Sequence, residues 1–480
     1  MKTLALLVNF HRYPSRELLW DGKTATERLR ALVQSLEPEA PILEIGPFKD
    51  TTEYLEALVT ACQGWEEAVF FAADAPYTRA DVSSQLLHLH RRYRAEYTFA
   101  DGFPSGLTPE VLHPRILPTL LEWSKKKPSP AGRESLFQLL STDINRFDVE
   151  THLSPVDLRS RRLSLTADSA RGVLLLRRVE PWNSLPLKEF LDNLEKMGAL
   201  VRTLPATLQV QVTNGVRQVP QWSPHLQFDP RALEARDFLS RQNWNRLLDS
   251  MLSFAGDLTV MPGFWGEPSM HPQICGLLSD ALAKPGLALC IETSGLGWRE
   301  DDLLLLSRES RGNLEFIVEL DSLVPETYLR LRGDGFEEAL ATTLRLIELF
   351  PGKVWPQTVR MLENEDEMEG FYKYWTEKAG RVILQKHNHF GGRLPQLKPA
   401  DLSPWARHPC WHAARDLAVF LDGTTVPCRD DFARTQVLGN AFSETPEVIW
   451  NRGSTLFGLH LSQNYPSVCR NCDEYYTFNY

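Results

Sequence analysis

An α/β protein in three parts is predicted by two successive series of alternating strands and helices, followed by a turn-rich tail that holds most of the cysteines. The first series occupies residues 1–178 and reads as a doubly wound sheet. The second occupies 206–400 at spacings of about 30 to 40 residues, which suits right-handed parallel crossovers and hence a partial (β/α)6 barrel. Residues 401–480 form the small cysteine-rich unit, and 179–205, with prolines flanking Trp182 to Leu185, read as a linker. A chain of 480 residues exceeds what one core organises. Its 43% hydrophobic and 24% charged residues allow a folded core throughout.

In the first series, strands are expected over 3–8, 42–45 and 67–72 and helices over 25–36 and 53–63. The run at 3–8 ends too soon, at Asn9, His11 and Arg12, to be a signal peptide, and reads as a buried strand. The stretch 125–129, KKKPS, reads as an exposed loop. In the second series, strands are expected over 208–212, 257–261, 288–291, 314–320, 354–361 and 382–384, and helices over 231–252, 273–283, 336–349 and 366–377. Ligands of such a fold collect at the carboxyl edge of the strands.

The net charge of −10 argues against a nucleic-acid partner, which needs clustered cations to displace counterions. No stretch approaches the ~18 apolar residues that cross a bilayer, so no membrane insertion is expected. With no export signal the expected location is cytoplasmic. There thiols stay reduced, and a local cluster of cysteines means metal or catalysis instead of disulfides.

Four of the seven cysteines, Cys410, Cys428, Cys469 and Cys472, fall in the tail. Asp422-Gly423 lies between apolar runs, a strong hairpin signal, and such a hairpin returns Cys428 toward Cys410. Cys469 and Cys472 form a Cys-x-x-Cys turn that lets two thiolates grip one centre. Zinc is the alternative to an iron-sulfur cluster, but zinc ribbons usually present two tight knuckles, and here one pair is split by a whole hairpin. Cys62, Cys275 and Cys290 sit in apolar segments and read as core residues.

The pattern Cys410-x12-Gly423-x4-Cys428, then Leu438-Gly439-Asn440, then Cys469-x-x-Cys472 resembles the SPASM domain, the auxiliary-cluster module that follows many radical SAM enzymes. The resemblance implies the shortened form, with one 4Fe-4S cluster on the four cysteines. The series before residue 400 resembles the radical SAM family over about 206–386. Gly263-Phe264-Trp265-Gly266-Glu267-Pro268 is similar to its glycine-glutamate motif, which implies that Glu267 receives the ammonium of S-adenosylmethionine. Glu292-Thr293-Ser294-Gly295 and residues 328–333 match later family segments. The family's Cys-x3-Cys-x2-Cys, however, falls on Val216, Pro220 and Ser223, none of which can ligate iron as a thiolate.

Residues 1–178 resemble nucleotidyltransferases that activate sugars with cytidine nucleotides. The resemblance rests on Asp74-Ala75-Pro76, on the stretch Phe103-Pro104-Ser105-Gly106-Leu107-Thr108-Pro109-Glu110-Val111, and on LSLTADS at 163–169. It implies Asp74 and Asp168 as carboxylates for Mg²⁺ beside a nucleotide. The loop 9–19 departs from the family's glycine-rich or basic signature. The three parts in this order resemble the spiro-SPASM family, which supplies architecture and not a reaction. The leading expectation is a cluster-carrying radical-SAM pseudoenzyme that binds a peptide or protein partner. The alternatives are a metal-dependent cytidylyltransferase-like enzyme and a zinc-stabilised scaffold.

Overall fold

The structure, a computed structural model, describes residues 2–10, 19–126, 129–220, 222–401 and 403–476. Residues 11–18 of the loop read for a nucleotide signature, and 127–128 of the KKKPS stretch, lie outside the described residues. The chain divides into two compact units, 1–201 and 202–480.

In the first unit the strands are β1 (Thr3–Val8), β2 (Ile42–Ile45), β3 (Glu67–Ala72), β4 (Tyr97–Asp101), β5 (Glu110–Leu112) and β6 (Val149–Leu153). They form one sheet in the order β2-β1-β3-β5-β4-β6. All pairings are parallel except those of β5, which runs antiparallel to both β3 and β4. Side chains alternate between faces along a strand, so Leu4, Leu6 and Val8 enter one core while Ala5 and Leu7 enter another on the opposite face. Both faces are therefore covered, as the double winding requires.

Residues 179–205 are not a linker. They carry the helix Leu187–Lys196, whose Phe190, Leu191 and Leu194 are fully buried in a third core with Leu175, Leu176 and Val179. The prolines that suggested a flexible joint open helical turns instead: Pro181 lies in the first turn of a short helix and Pro186 is an N-cap, positions where a missing N–H costs nothing.

The second unit holds six consecutive parallel strands, β7 (Thr207–Val210), β8 (Leu258–Met261), β9 (Leu287–Thr293), β10 (Leu314–Glu319), β11 (Val354–Arg360) and β12 (Ile383–Lys386), in sequence order across the sheet. Each is followed by helix, and residues of the outward face such as Leu289, Ile291, Phe316 and Val318 pack on Trp244, Leu248, Leu277 and Leu346 from those helices. The inward face closes on Met261, Cys290 and Ile317, and above that apolar layer it turns polar at Glu292, Glu319 and Gln357. Cys62 and Cys290 are buried core residues, and Cys275 packs against the core's edge.

The helix expected over 231–252 starts ten residues later, as Arg241–Ala255, with Ser240 as its N-cap accepting from the Asn243 N–H. Residues 231–239 are drawn instead to the end of β7, where the Asn214 side chain accepts from the Arg236 and Asp237 N–H groups. The cysteine-rich tail is continuous with the barrel sheet. Its β13 (Asp416–Val419) pairs parallel with β7, and β14 (Thr424–Val426) and β15 (Gly439–Asn440) follow antiparallel. The expected hairpin is thus present, with Gly423 in its turn at φ +84°, a conformation glycine adopts freely. No helix among the described residues is long and apolar enough to cross a membrane.

Candidate functional site

The tail brings its four cysteines to one place. Cys410 is the N-cap of the short helix Trp411–Arg415, Cys428 follows β14, Cys469 lies on the short helix Ser467–Arg470, and Cys472 follows two residues past that helix. All four line a single cavity with His412, Asp430, His460, Glu474 and Tyr475. The Cys472 N–H donates to the Cys469 carbonyl at 3.2 Å, closing the Cys-x-x-Cys turn. Arg407 clamps that turn from outside by donating to the Cys469 and Arg470 carbonyls. Two backbone N–H groups point at sulfur, Asp430 to Cys428 at 3.3 Å and Glu474 to Cys472 at 3.4 Å.

Burial pushes every one of these thiols up, Cys410 to about 12 and Cys469 to about 11, with Cys428 and Cys472 raised further by burial and by Asp430. Four thiolates cannot share this enclosure unless a positive core neutralises them. Among the described residues no group of three or more His, Cys, Asp or Glu is arranged to hold a single metal ion. The four sulfurs line one cavity, which matches the one-cysteine-per-iron demand of a four-iron cluster. The donor set therefore fits the iron-sulfur group. Cys410, Cys428, Cys469 and Cys472 would hold it, and it would supply a one-electron couple or a structural staple.

A second cavity of about 150 Å³ opens at the carboxyl edge of the barrel strands. Its floor carries Glu292, Glu319, Gln357 and Lys386 from the strand ends, and Cys428, Arg429 and Asp430 from the tail form one wall. Arg429 donates to Glu292 at 2.7 Å, and Arg332 donates to Glu319 at 2.9 Å and to Asp321 at 2.6 Å. Burial raises the Glu292 carboxyl, against the pull of Arg429. It also works against the Arg429 charge, which Glu292 more than restores.

Glu267 lies in this cavity's lining, yet its carboxylate is already engaged. One oxygen accepts from the Thr293 hydroxyl at 2.6 Å, and the other accepts from the Ser294 N–H at 2.8 Å and the Ser294 hydroxyl at 2.7 Å. Burial raises its pKa and these donors oppose the rise. The arrangement ties the end of β8 to the end of β9.

The positions on which the resemblance places the cysteine triad, Val216, Pro220 and Ser223, also line the cavity. Their loop is fixed by Gln218, which sequence reading missed. Its amide donates to the Asp334 carbonyl at 2.6 Å and the Tyr328 hydroxyl at 3.1 Å, and its oxygen accepts from Arg332 at 3.1 Å. Ser223 pairs with His225 at 2.5 Å, and burial pulls that imidazole down to about 4.

In the first unit Asp74 and Asp168 do converge, but around a guanidinium. One terminal nitrogen of Arg133 bonds both carboxylates, Asp168 at 2.9 Å. Burial opposes the Arg133 charge and the two acids outweigh it. A protein cation therefore stands where the resemblance placed Mg²⁺. No sequence signal pointed to Arg133.

Four cysteines, one buried and three half-buried, line one cavity, and residues 410–473, which contain them, match the family model of SPASM, an iron-sulfur cluster-binding domain. The chain belongs to the same family as a Treponema pallidum (strain Nichols) protein named only "Uncharacterized protein", with 32% identity over 358 residues, 72% of this chain and 98% of the relative. A second protein of that organism, equally named, is 51% identical over 55 residues, 11% of this chain and 25% of its own length. Among solved structures, Streptococcus suis SuiB bound to precursor peptide SuiA is similar at 15% identity and a TM-score of 0.43, covering 57% of this chain and 75% of that one. Native anSMEcpe with bound AdoMet and Cp18Cys peptide is similar at 13% identity and a TM-score of 0.41, covering 54% and 83%.

Proposed function

We propose that this chain is an iron-sulfur protein of spiro-SPASM architecture, a radical-SAM-like pseudoenzyme whose barrel binds a peptide or protein partner without generating a radical. The observation that carries the reading is the contrast between two sets of positions. Cys410, Cys428, Cys469 and Cys472 keep soft ligands around one cavity, whereas Val216, Pro220 and Ser223 offer no thiolate to an open iron. Two further features support it. Gln218 locks the triad loop to Tyr328 and Arg332, and Glu267 spends its carboxylate on Thr293 and Ser294. The nucleotidyltransferase-like part is read as equally inactive, because Arg133 neutralises the acid pair that would bind Mg²⁺.

The test is anaerobic purification with iron and acid-labile sulfide analysis, followed by incubation with S-adenosylmethionine and a strong reductant. About four irons and four sulfides per chain, with no reductive cleavage of the cosubstrate, are expected. Zinc without sulfide would overturn the cluster, and reductive cleavage would overturn the pseudoenzyme.

A further inference from the structure

The barrel cavity contains a pair of opposite charges with spare bonding capacity. Arg429 spends one side-chain N–H on one oxygen of Glu292. Its other side-chain donors, and the second oxygen of Glu292, have no hydrogen-bond partner among the described residues, and both side chains line the cavity. A ligand can therefore join this pair without breaking it. What it brings is constrained by electrostatics. The pair is neutral as it stands, and of the other charges lining the cavity Glu319 is paired with Arg332 and Glu474 with Lys386, so a lone anion on Arg429 or a lone cation on Glu292 would add an unbalanced charge to a largely desolvated site, which is costly. A ligand carrying both signs completes both partners and adds no net charge, with two charge-assisted bonds gained.

Size sets a second limit. At about 150 Å³ the cavity lies below the ~300 Å³ at which drug-sized pockets begin. An apolar wall of Trp265, Phe390 and Val359 stands beside the charged groups, so the ligand also carries a short apolar or aromatic portion.

We propose that this cavity binds a free α-amino acid, its carboxylate on Arg429 and its ammonium on Glu292. The proposal goes beyond the reading of the barrel as a unit that binds a peptide or protein partner, because it assigns the strand-end cavity a small ligand of its own. It also makes the site depend on the metal centre. Arg429 follows the cluster ligand Cys428 directly, and its carbonyl accepts from the Trp265 indole N–H at 2.9 Å. Trp265 is itself held at a φ of +49°, a conformation that bulky residues rarely adopt and that collects at functional sites. The turn that grips the metal centre thus forms a wall of the cavity, and ligand and cluster support each other reciprocally.

The experiment is calorimetric titration of the anaerobically purified full chain with the proteinogenic amino acids, with iron and sulfide measured on the same sample. At least one amino acid is expected to bind, and its N-acetyl and carboxamide derivatives, each lacking one charge, to bind about tenfold more weakly or less. Glu292→Gln and Arg429→Lys are each expected to weaken binding about tenfold, and removal of iron to weaken it further. The derivatives need no variant, so a folding defect does not blunt the test. Overturning results are no binding by any amino acid, equal binding of the derivatives, or binding of S-adenosylmethionine alone. Since the metal content is read independently, a cluster-loaded chain that binds none of them refutes the ligand and leaves the cluster standing.

Discussion

Glu267 separates a structural carboxylate from a ligand-binding one. Replacing it with alanine removes the acceptor from three buried donors, the Thr293 hydroxyl, the Ser294 hydroxyl and the Ser294 N–H. The hydroxyls can rotate toward other acceptors, but the backbone N–H cannot, and an orphaned buried donor costs about 1–3 kcal/mol. Against this, the variant relieves the burial of a charge, which is visible in the raised carboxyl pKa. The net loss expected is about 2–4 kcal/mol for Glu267→Ala and about 1–2 kcal/mol for Glu267→Gln, whose amide oxygen still accepts while its NH2 faces donors. Equilibrium urea unfolding measures the loss. Hydrogen exchange localises it, because the Ser294 amide bonded to Glu267 should lose protection before distant barrel amides. Trp298, whose indole N–H donates to Thr293 at 2.9 Å, adds a fluorescence change at the same place. If both variants stay within about 0.5 kcal/mol of the parent with Ser294 protection unchanged, the carboxylate is not a staple and is free to meet a ligand.

Three further outcomes are expected. Arg133→Met removes the guanidinium that Asp74 and Asp168 share and should destabilise the first unit by about 2–3 kcal/mol in urea unfolding, less than the ~3–5 of a fully buried broken pair. The triple variant with Asp74→Asn and Asp168→Asn should recover most of this, and no recovery would show that packing and not charge sets the loss. Gly266→Ala would place a methyl 1.9 Å from the Thr213 carbonyl oxygen, so the β7 and β8 loops must part; a melting temperature within about 1 °C of the parent would contradict that contact. Glu110 has its carboxyl raised from 4.5 to about 7 by burial, so its stabilising contribution is full below 4.5 and is lost as pH rises through 7. Glu110→Gln should therefore gain on the parent steadily between pH 4.5 and 7, and a constant difference over that window would rule out the shift.

What could be read from the sequence was what local pattern encodes. The runs at 3–8 and 314–319 are strands because β-branched and apolar residues fill both faces of a buried sheet, and the structure places them there. The grouping of the tail cysteines was legible because Asp422-Gly423 dictates a hairpin and Cys-x-x-Cys a turn, both short-range constraints. The helix start at 241 was missed because Leu233 and Phe238 extend the helical periodicity upstream, although both are exposed. Neither Arg133 nor Gln218 could be found by such means. Gln218 meets Tyr328 across 110 residues, and Arg133 reaches Asp74 across 59. Nothing in the sequence near either residue states what it will meet.

Both departures have one physical form. In the first unit Arg133 sits between the two carboxylates that the resemblance assigns to Mg²⁺, and in the barrel Gln218 holds the loop on which the resemblance places the cysteine triad. A site that merely lost its ligands would retain uncompensated acids and an unanchored loop, each a cost of several kcal/mol or a source of local disorder. Here the acids are paired and the loop is bonded at three points. The tail differs. Its four thiols are raised by burial and no protein cation hydrogen-bonds any of the sulfurs among the described residues, Arg407 donating to the Cys469 and Arg470 carbonyls instead.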